Sequence, residues 1–130
     1  MHVLYLEDDA LDAEALRRAL RRLRPDVEIE LCATPAAALA RLAAADAGRF
    51  DTVIVDVSLP EMNGFEFIDR IQSAGEGRAK PRIIVFTSSE HRFDLAEAER
   101  TAADAYVVKT ADPSCFDDLV AALDRRPPVA

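Results

Sequence analysis

No apolar run in the sequence approaches the ~20 residues that a membrane span requires, and the N-terminal MHVLYLEDD has no basic segment ahead of a long apolar stretch, so neither a spanning helix nor a secretory leader is expected. Basic charge is in deficit. Sixteen Lys and Arg against 24 Asp and Glu give a formal net charge of −8 and a pI near 4.7. A protein that tracks nucleic-acid phosphates needs a basic face, so DNA or RNA is not expected as a direct partner. Cysteine is limited to Cys32 and Cys115, far apart and outside any CxxC or His-rich spacing. That argues against a disulfide framework or structural zinc and fits reduced thiols in a soluble cytoplasmic protein. The four glycines, Gly48, Gly64, Gly75 and Gly77, form no phosphate-cradling pattern at a strand end, which leaves Rossmann and P-loop nucleotide binding without support. His2 and His91 lack ligand-spaced neighbours and read as surface or packing residues.

What the sequence does have is ordinary globular material: 130 residues, 50% hydrophobic and 31% charged, enough for one domain with one core. Short apolar runs alternate with helical periodicity. HVLYLE (2–7), VEIELC (27–32), DTVIVD (51–56), PRIIVF (81–86) and DAYVVK (104–109) read as strands. Between and after them, helices are predicted over 11–24, 36–47, 63–74, 89–102 and 114–125. Thr34-Pro35 and Asp112-Pro113 each supply a cap residue followed by proline at the first helical position. Five strands alternating with five helices imply right-handed parallel βαβ units, hence an open α/β sheet covered on both faces. The near-continuous apolar runs VLYL, TVIV and IIVF suit strands buried on both sides. The domain is expected over 1–126, with 127–130 a short flexible tail.

Ligands of such a sheet bind beyond the carboxyl ends of its strands. The residues there are Glu7, Asp8 and Asp9 after the first strand, Asp56 after the third, Thr87 and Ser88 after the fourth, and Lys109 after the fifth. Several carboxylates at one edge repel, by roughly 4 kcal/mol per pair at 4 Å for an effective dielectric near 20. A hard divalent cation would offset that, and an oxygen-only donor set without His or Cys suits magnesium or manganese better than zinc. Lys109 adds a second positive charge. Asp56, flanked by both, would be ionised and able to accept a phosphoryl group; the competing reading is a simple initiator of the turn SLPEMNG, bracketed by Pro60 and Gly64.

Together, Glu7-Asp8, the segment from Asp56 to Gly64, Thr87 in VFTSS, and Tyr106 with Lys109 in DAYVVK resemble the receiver domain of two-component response regulators, over nearly the whole chain. The resemblance implies a flavodoxin-like doubly wound (βα)5 fold with strand order 2-1-3-4-5. It implies phosphoryl transfer to Asp56 from a sensor histidine kinase or histidine phosphotransfer protein, in a Mg2+-dependent reaction. Asp8 would ligate the metal directly, Glu7 through water, and Ser58 through its backbone carbonyl, while Asp9 aligns just past the pair and is expected at most to support it or to cap a helix. Lys109 would pair with a phosphoryl oxygen, Thr87 would move toward it, and Tyr106 would change rotamer to fill the space, with the surface around 89–109 and 114–125 reporting the change. A packed strand aromatic is the simpler reading of Tyr106.

The sequence also departs from the family pattern. Thr110 follows Lys109 where members usually carry proline in a cis peptide; a cis non-proline bond is unfavourable by about 2.5–4 kcal/mol, so a trans bond and a rearranged loop are expected. Ala103 stands where many members carry glycine. Ser58 and Ser89, two residues past Asp56 and Thr87, offer no acid or amide to orient an attacking water, which implies a long-lived phosphoryl-aspartate.

The chain ends soon after the last predicted helix, so output through protein contact is expected, either in a phosphorelay or on a downstream protein target. EDDALDAEAL resembles regulators paired with photoreceptor kinases. Two copies could pair through the last two helices. Arg17, Arg18, Arg21, Arg22 and Arg24 should line the solvent side of the first helix, as a solvated face or as a dock for an acidic partner helix. The competing classes are an aspartate-nucleophile phosphatase, which usually places a second acid where Ser58 stands, and a receiver-like binding module that is never phosphorylated.

Overall fold

The computed structural model describes residues 1–44, 50–56, 64–74, 81–88 and 103–124. Its elements are β1 (His2–Leu6), α1 (Ala10–Leu23), β2 (Glu28–Cys32), α2 (Pro35–Ala43), β3 (Thr52–Val55), α3 (Gly64–Ala74), β4 (Arg82–Thr87), β5 (Ala105–Val108) and α4 (Ser114–Asp124). The predicted helix over 89–102 lies outside the described residues, as do Ser58, Ser89 and His91. All five strands pair in parallel in the order β2-β1-β3-β4-β5, as the resemblance implies.

The strand period of two explains why the central runs are apolar throughout. Leu4, Leu6, Val53, Val55, Ile83 and Val85 point to one face and pack with Ala38 of α2 and Phe67, Ile68 and Ile71 of α3. Val3, Tyr5, Ile54, Ile84, Phe86 and Val107 point to the other, against Ala13, Leu16 and Leu20 of α1 and Cys115, Leu119 and Leu123 of α4. Both faces are therefore buried, and polar groups collect at the strand ends.

The helix starts are set by the residues expected to cap them. Asp9 accepts hydrogen bonds from the amides of Leu11 (2.8 Å) and Asp12 (3.1 Å), and Thr34 from that of Ala37 (3.1 Å), with Pro35 in the first turn. Asp112 takes the Ser114 amide at 2.9 Å. On α1, Arg18, Arg21 and Arg22 are exposed and Arg17 is half-buried beside Glu14, to which it is bonded twice. Arg24 departs from the expected solvent-facing row: it ends α1 and bridges Asp26 and Asp124, tying α1 to α4. Arg82 reinforces the same end by donating to the carbonyls of Leu123 (2.9 Å) and Ala122 (2.7 Å), which the helix leaves unpaired.

Candidate functional site

Backbone bonds between neighbouring strands fix the edge where the strand-ending side chains meet. The Glu7 amide donates to Cys32 O (3.0 Å), the Asp56 amide to Leu6 O (3.1 Å) and the Lys109 amide to Thr87 O (2.8 Å). Each functional side chain thus starts from a peptide already held by the adjacent strand, so its position is set by the sheet.

Glu7 and Asp56 are buried, with side chains 1% and 10% exposed, while Asp8 is exposed. One carboxylate oxygen from each of the three can be found within 4.8 Å of the others. The donor set is oxygen alone and carries three negative charges at ionisation, which is the chemistry of a hard divalent cation and fits magnesium. Ser58, the fourth expected ligand, lies outside the described residues.

Lys109 enters this cluster from the end of β5. Its ammonium bonds Glu7 Oε1, lies 3.1 Å from Asp56 Oδ2 and 3.4 Å from Asp12 Oδ2, and sits 5.6 Å from the centre of the Phe86 ring. Burial alone would depress its pKa, but the bond to Glu7 and the attraction of Asp56 outweigh that and raise it. Lys109 is accordingly charged at neutral pH.

Glu7 feels the opposite balance. Burial, and then the nearby Asp56 charge, outweigh the Lys109 contact and push its carboxyl up to about 7. An acid whose folded pKa exceeds its unfolded value stabilises the fold below the unfolded pKa, and that contribution is lost as pH rises through the folded one. The metal-free protein is therefore expected to lose thermal stability between about pH 4.5 and 7. Thermal melts across that window should show the loss, and Glu7→Gln should flatten it; an unchanged slope in the variant would refute the assignment to Glu7.

Thr87 is fully buried at the end of β4. Strand alternation puts it on the face of Ile83 and Val85, where half-buried Tyr106 also packs. The register pairs Val85 with Tyr106 and Thr87 with Val108, so Thr87 and Tyr106 are diagonal neighbours on adjacent strands. Tyr106 is thus a packed strand aromatic offset by two residues, on the adjacent strand, from the position expected to move.

Two neighbours of the site were not evident in the sequence. Asp12 reaches Lys109 from the first turn of α1, and its signal is the Asp9-x-x-Asp12 spacing at a helix start. Tyr5 donates its hydroxyl to Glu7 Oε1 at 3.0 Å; its only signal is that it lies two residues earlier on the same strand face. Burial, followed by the Glu7 charge, raises the Tyr5 pKa, so the phenol stays protonated and remains a donor. At the departure from the family pattern, Thr110 organises the turn into α4: its hydroxyl donates to Asp112 O at 3.1 Å and accepts the Asp112 amide at 3.2 Å. Proline could make neither bond.

Residues 3–124 match the response regulator receiver domain. The chain belongs to that family. Among curated relatives, it is 36% identical over 73 residues, 56% of its length, to the nitrate/nitrite response regulator NarL of Escherichia coli K12, of which it covers 31%. It spans less than half the length of the first curated relatives it matches. Among solved structures, the chemotaxis response regulator CheY4 of Vibrio cholerae is 26% identical with a TM-score of 0.73, the alignment covering 92% of this chain and 95% of that one. The bacteriophytochrome response regulator RtBRR is 27% identical with a TM-score of 0.78, covering 99% of this chain and 81% of that one. The five-stranded parallel sheet in order 2-1-3-4-5 is the flavodoxin-like fold of these receivers. Among the described residues, no helix is long and apolar enough to cross a membrane.

Proposed function

We propose that this receiver domain accepts a phosphoryl group on Asp56 from a histidine kinase or histidine phosphotransfer protein in the cytoplasm and signals by protein contact or phosphorelay. The observation that carries this reading is the placement of a buried Asp56 carboxylate 3.1 Å from the Lys109 ammonium and within a carboxylate cluster suited to a hard cation. Glu7, Asp8 and Asp56, with the Ser58 carbonyl, would hold Mg2+, or Mn2+ in its place. The cation supplies neutralisation of the acids and of an incoming phosphoryl group.

In the transfer, an Asp56 oxygen bonds to phosphorus as the phosphorus–nitrogen bond of phosphohistidine breaks; the imidazole leaves with that electron pair and ends as neutral imidazole after the solvent proton balance is restored. Lys109 is placed to pair with a phosphoryl oxygen and stabilise the charge that develops there. The product adds about −1.5 to −2 of charge and new acceptor oxygens, which favour an arrangement that brings Thr87 toward them. Tyr106, its diagonal neighbour, would then change rotamer and pass the event to the surface around β5 and α4. The likeness to RtBRR supports a photoreceptor kinase as one class of donor.

Incubation with acetyl phosphate and Mg2+ followed by intact mass tests the reading. A stable gain of one phosphoryl group supports it; donor hydrolysis without an adduct would indicate a phosphatase, and no reaction a binding module. With serine at both 58 and 89, the adduct is expected to persist for minutes to hours in magnesium buffer, and decay within seconds would refute that lifetime.

A further inference from the structure

Tyr5 sits in the middle of β1 with no exposed surface, its ring packed among the core residues that include Leu16, Phe86, Cys115 and Leu119. An aliphatic or phenyl side chain could fill that space as well. What tyrosine adds is one hydroxyl, and a buried hydroxyl needs a partner. Its partner is Glu7 Oε1 at 3.0 Å, in a bond that is itself buried.

The carboxylate of Glu7 is held by three donors from three parts of the fold. Oε1 takes the Tyr5 hydroxyl from within β1 and the Lys109 ammonium from the end of β5, and Oε2 takes the Asp9 amide at 3.3 Å from the turn into α1. Of the two donors to Oε1, Tyr5 has the less freedom, being locked in the core, whereas Lys109 is a long side chain also shared with Asp56 and Asp12. Among the described residues, Oε2 meets the weaker donor set and keeps the larger capacity for a further contact.

We infer that Tyr5 is a positioning residue for the cation site: its hydroxyl pins Oε1 of Glu7 from inside the core, so that the carboxylate is pre-oriented toward a hydrated divalent cation shared with Asp8 and Asp56. This rests on the reading of those three acids as a magnesium site. Partners that orient metal ligands typically contribute about 10–100-fold in affinity, and one that acts on a ligand expected to bind through water belongs at the lower end, about tenfold.

Calorimetric Mg2+ titration of the full chain tests this with Tyr5→Phe, which keeps the ring and removes only the hydroxyl. The dissociation constant for Mg2+ is expected to rise about tenfold, with the denaturant midpoint lowered only by the loss of one buried hydrogen bond and the native fold retained. In a Glu7→Ala background, Tyr5→Phe should add nothing, because its target is gone. Unchanged affinity in Tyr5→Phe, or equal weakening with and without Glu7, would overturn the inference while leaving the site intact. Failure of the unaltered protein to bind Mg2+ would overturn the site itself and the inference with it.

Discussion

Asp56→Asn is expected to abolish the phosphoryl adduct formed with acetyl phosphate and Mg2+, without weakening the metal-free fold. The amide is nearly isosteric with the carboxylate and still offers an oxygen to Lys109, 3.1 Å away in the native protein, so the buried packing at the end of β3 should survive. What disappears is the anionic nucleophile. One charge also leaves a cluster whose oxygens lie within 4.8 Å of one another. Two unit charges at such a separation repel by about 3.5 kcal/mol at an effective dielectric near 20, and water around exposed Asp8 reduces that. The variant's metal-free Tm is therefore expected to equal or exceed the native value, by about 2–5 °C. Loss of the adduct with a preserved or higher Tm would place the defect in chemistry. A persistent adduct would move the acceptor to another acid, and peptide mapping would locate it.

That the proposed acceptor could be singled out from the sequence follows from how a parallel sheet is built. Strands buried on both faces must be apolar throughout, so TVIV ends abruptly at Asp56 and VLYL at Glu7, and the two acids stand out as strand terminators. The caps were legible for a related reason: Asp9, Thr34-Pro35 and Asp112-Pro113 act within one turn of their own position. Interactions that depend on how elements approach one another were not. Tyr5 reads as another apolar residue in its run until Glu7 is seen two places along the same strand face. Asp12 reads as a solvent-facing acid until β5 delivers Lys109 to it, 97 residues away in sequence. Arg24 belongs by composition with the exposed arginines of α1, yet the approach of α4 turns it into a tie to Asp124.

Lys109→Met is expected to destabilise the metal-free protein strongly at alkaline pH and to slow phosphoryl uptake. Methionine keeps most of the aliphatic stem against Phe86 and removes the ammonium, whose nitrogen lies 5.6 Å from that ring. Glu7 and Asp56, with side chains 1% and 10% exposed, then face each other without their shared cation. Removing one partner of a buried ion pair typically destabilises by about 3–5 kcal/mol, roughly 10 °C or more in Tm for a domain of this size. The size of the loss should depend on pH. Glu7, already pushed up to about 7, can escape by protonation, and without Lys109 it escapes at still higher pH, so the deficit should be small at pH 5 and large at pH 8. Magnesium is expected to recover much of the stability, because a cation in the same cluster replaces the missing charge. It should not recover the rate: losing a positioned charge at the phosphoryl oxygen costs about 10²–10³-fold in comparable sites. Melting curves with and without Mg2+, beside the rate of acetyl-phosphate labelling, separate the two roles. A variant that melts normally without magnesium yet labels slowly would confine Lys109 to transfer, and one that melts early but labels at the native rate would confine it to neutralising the buried acids.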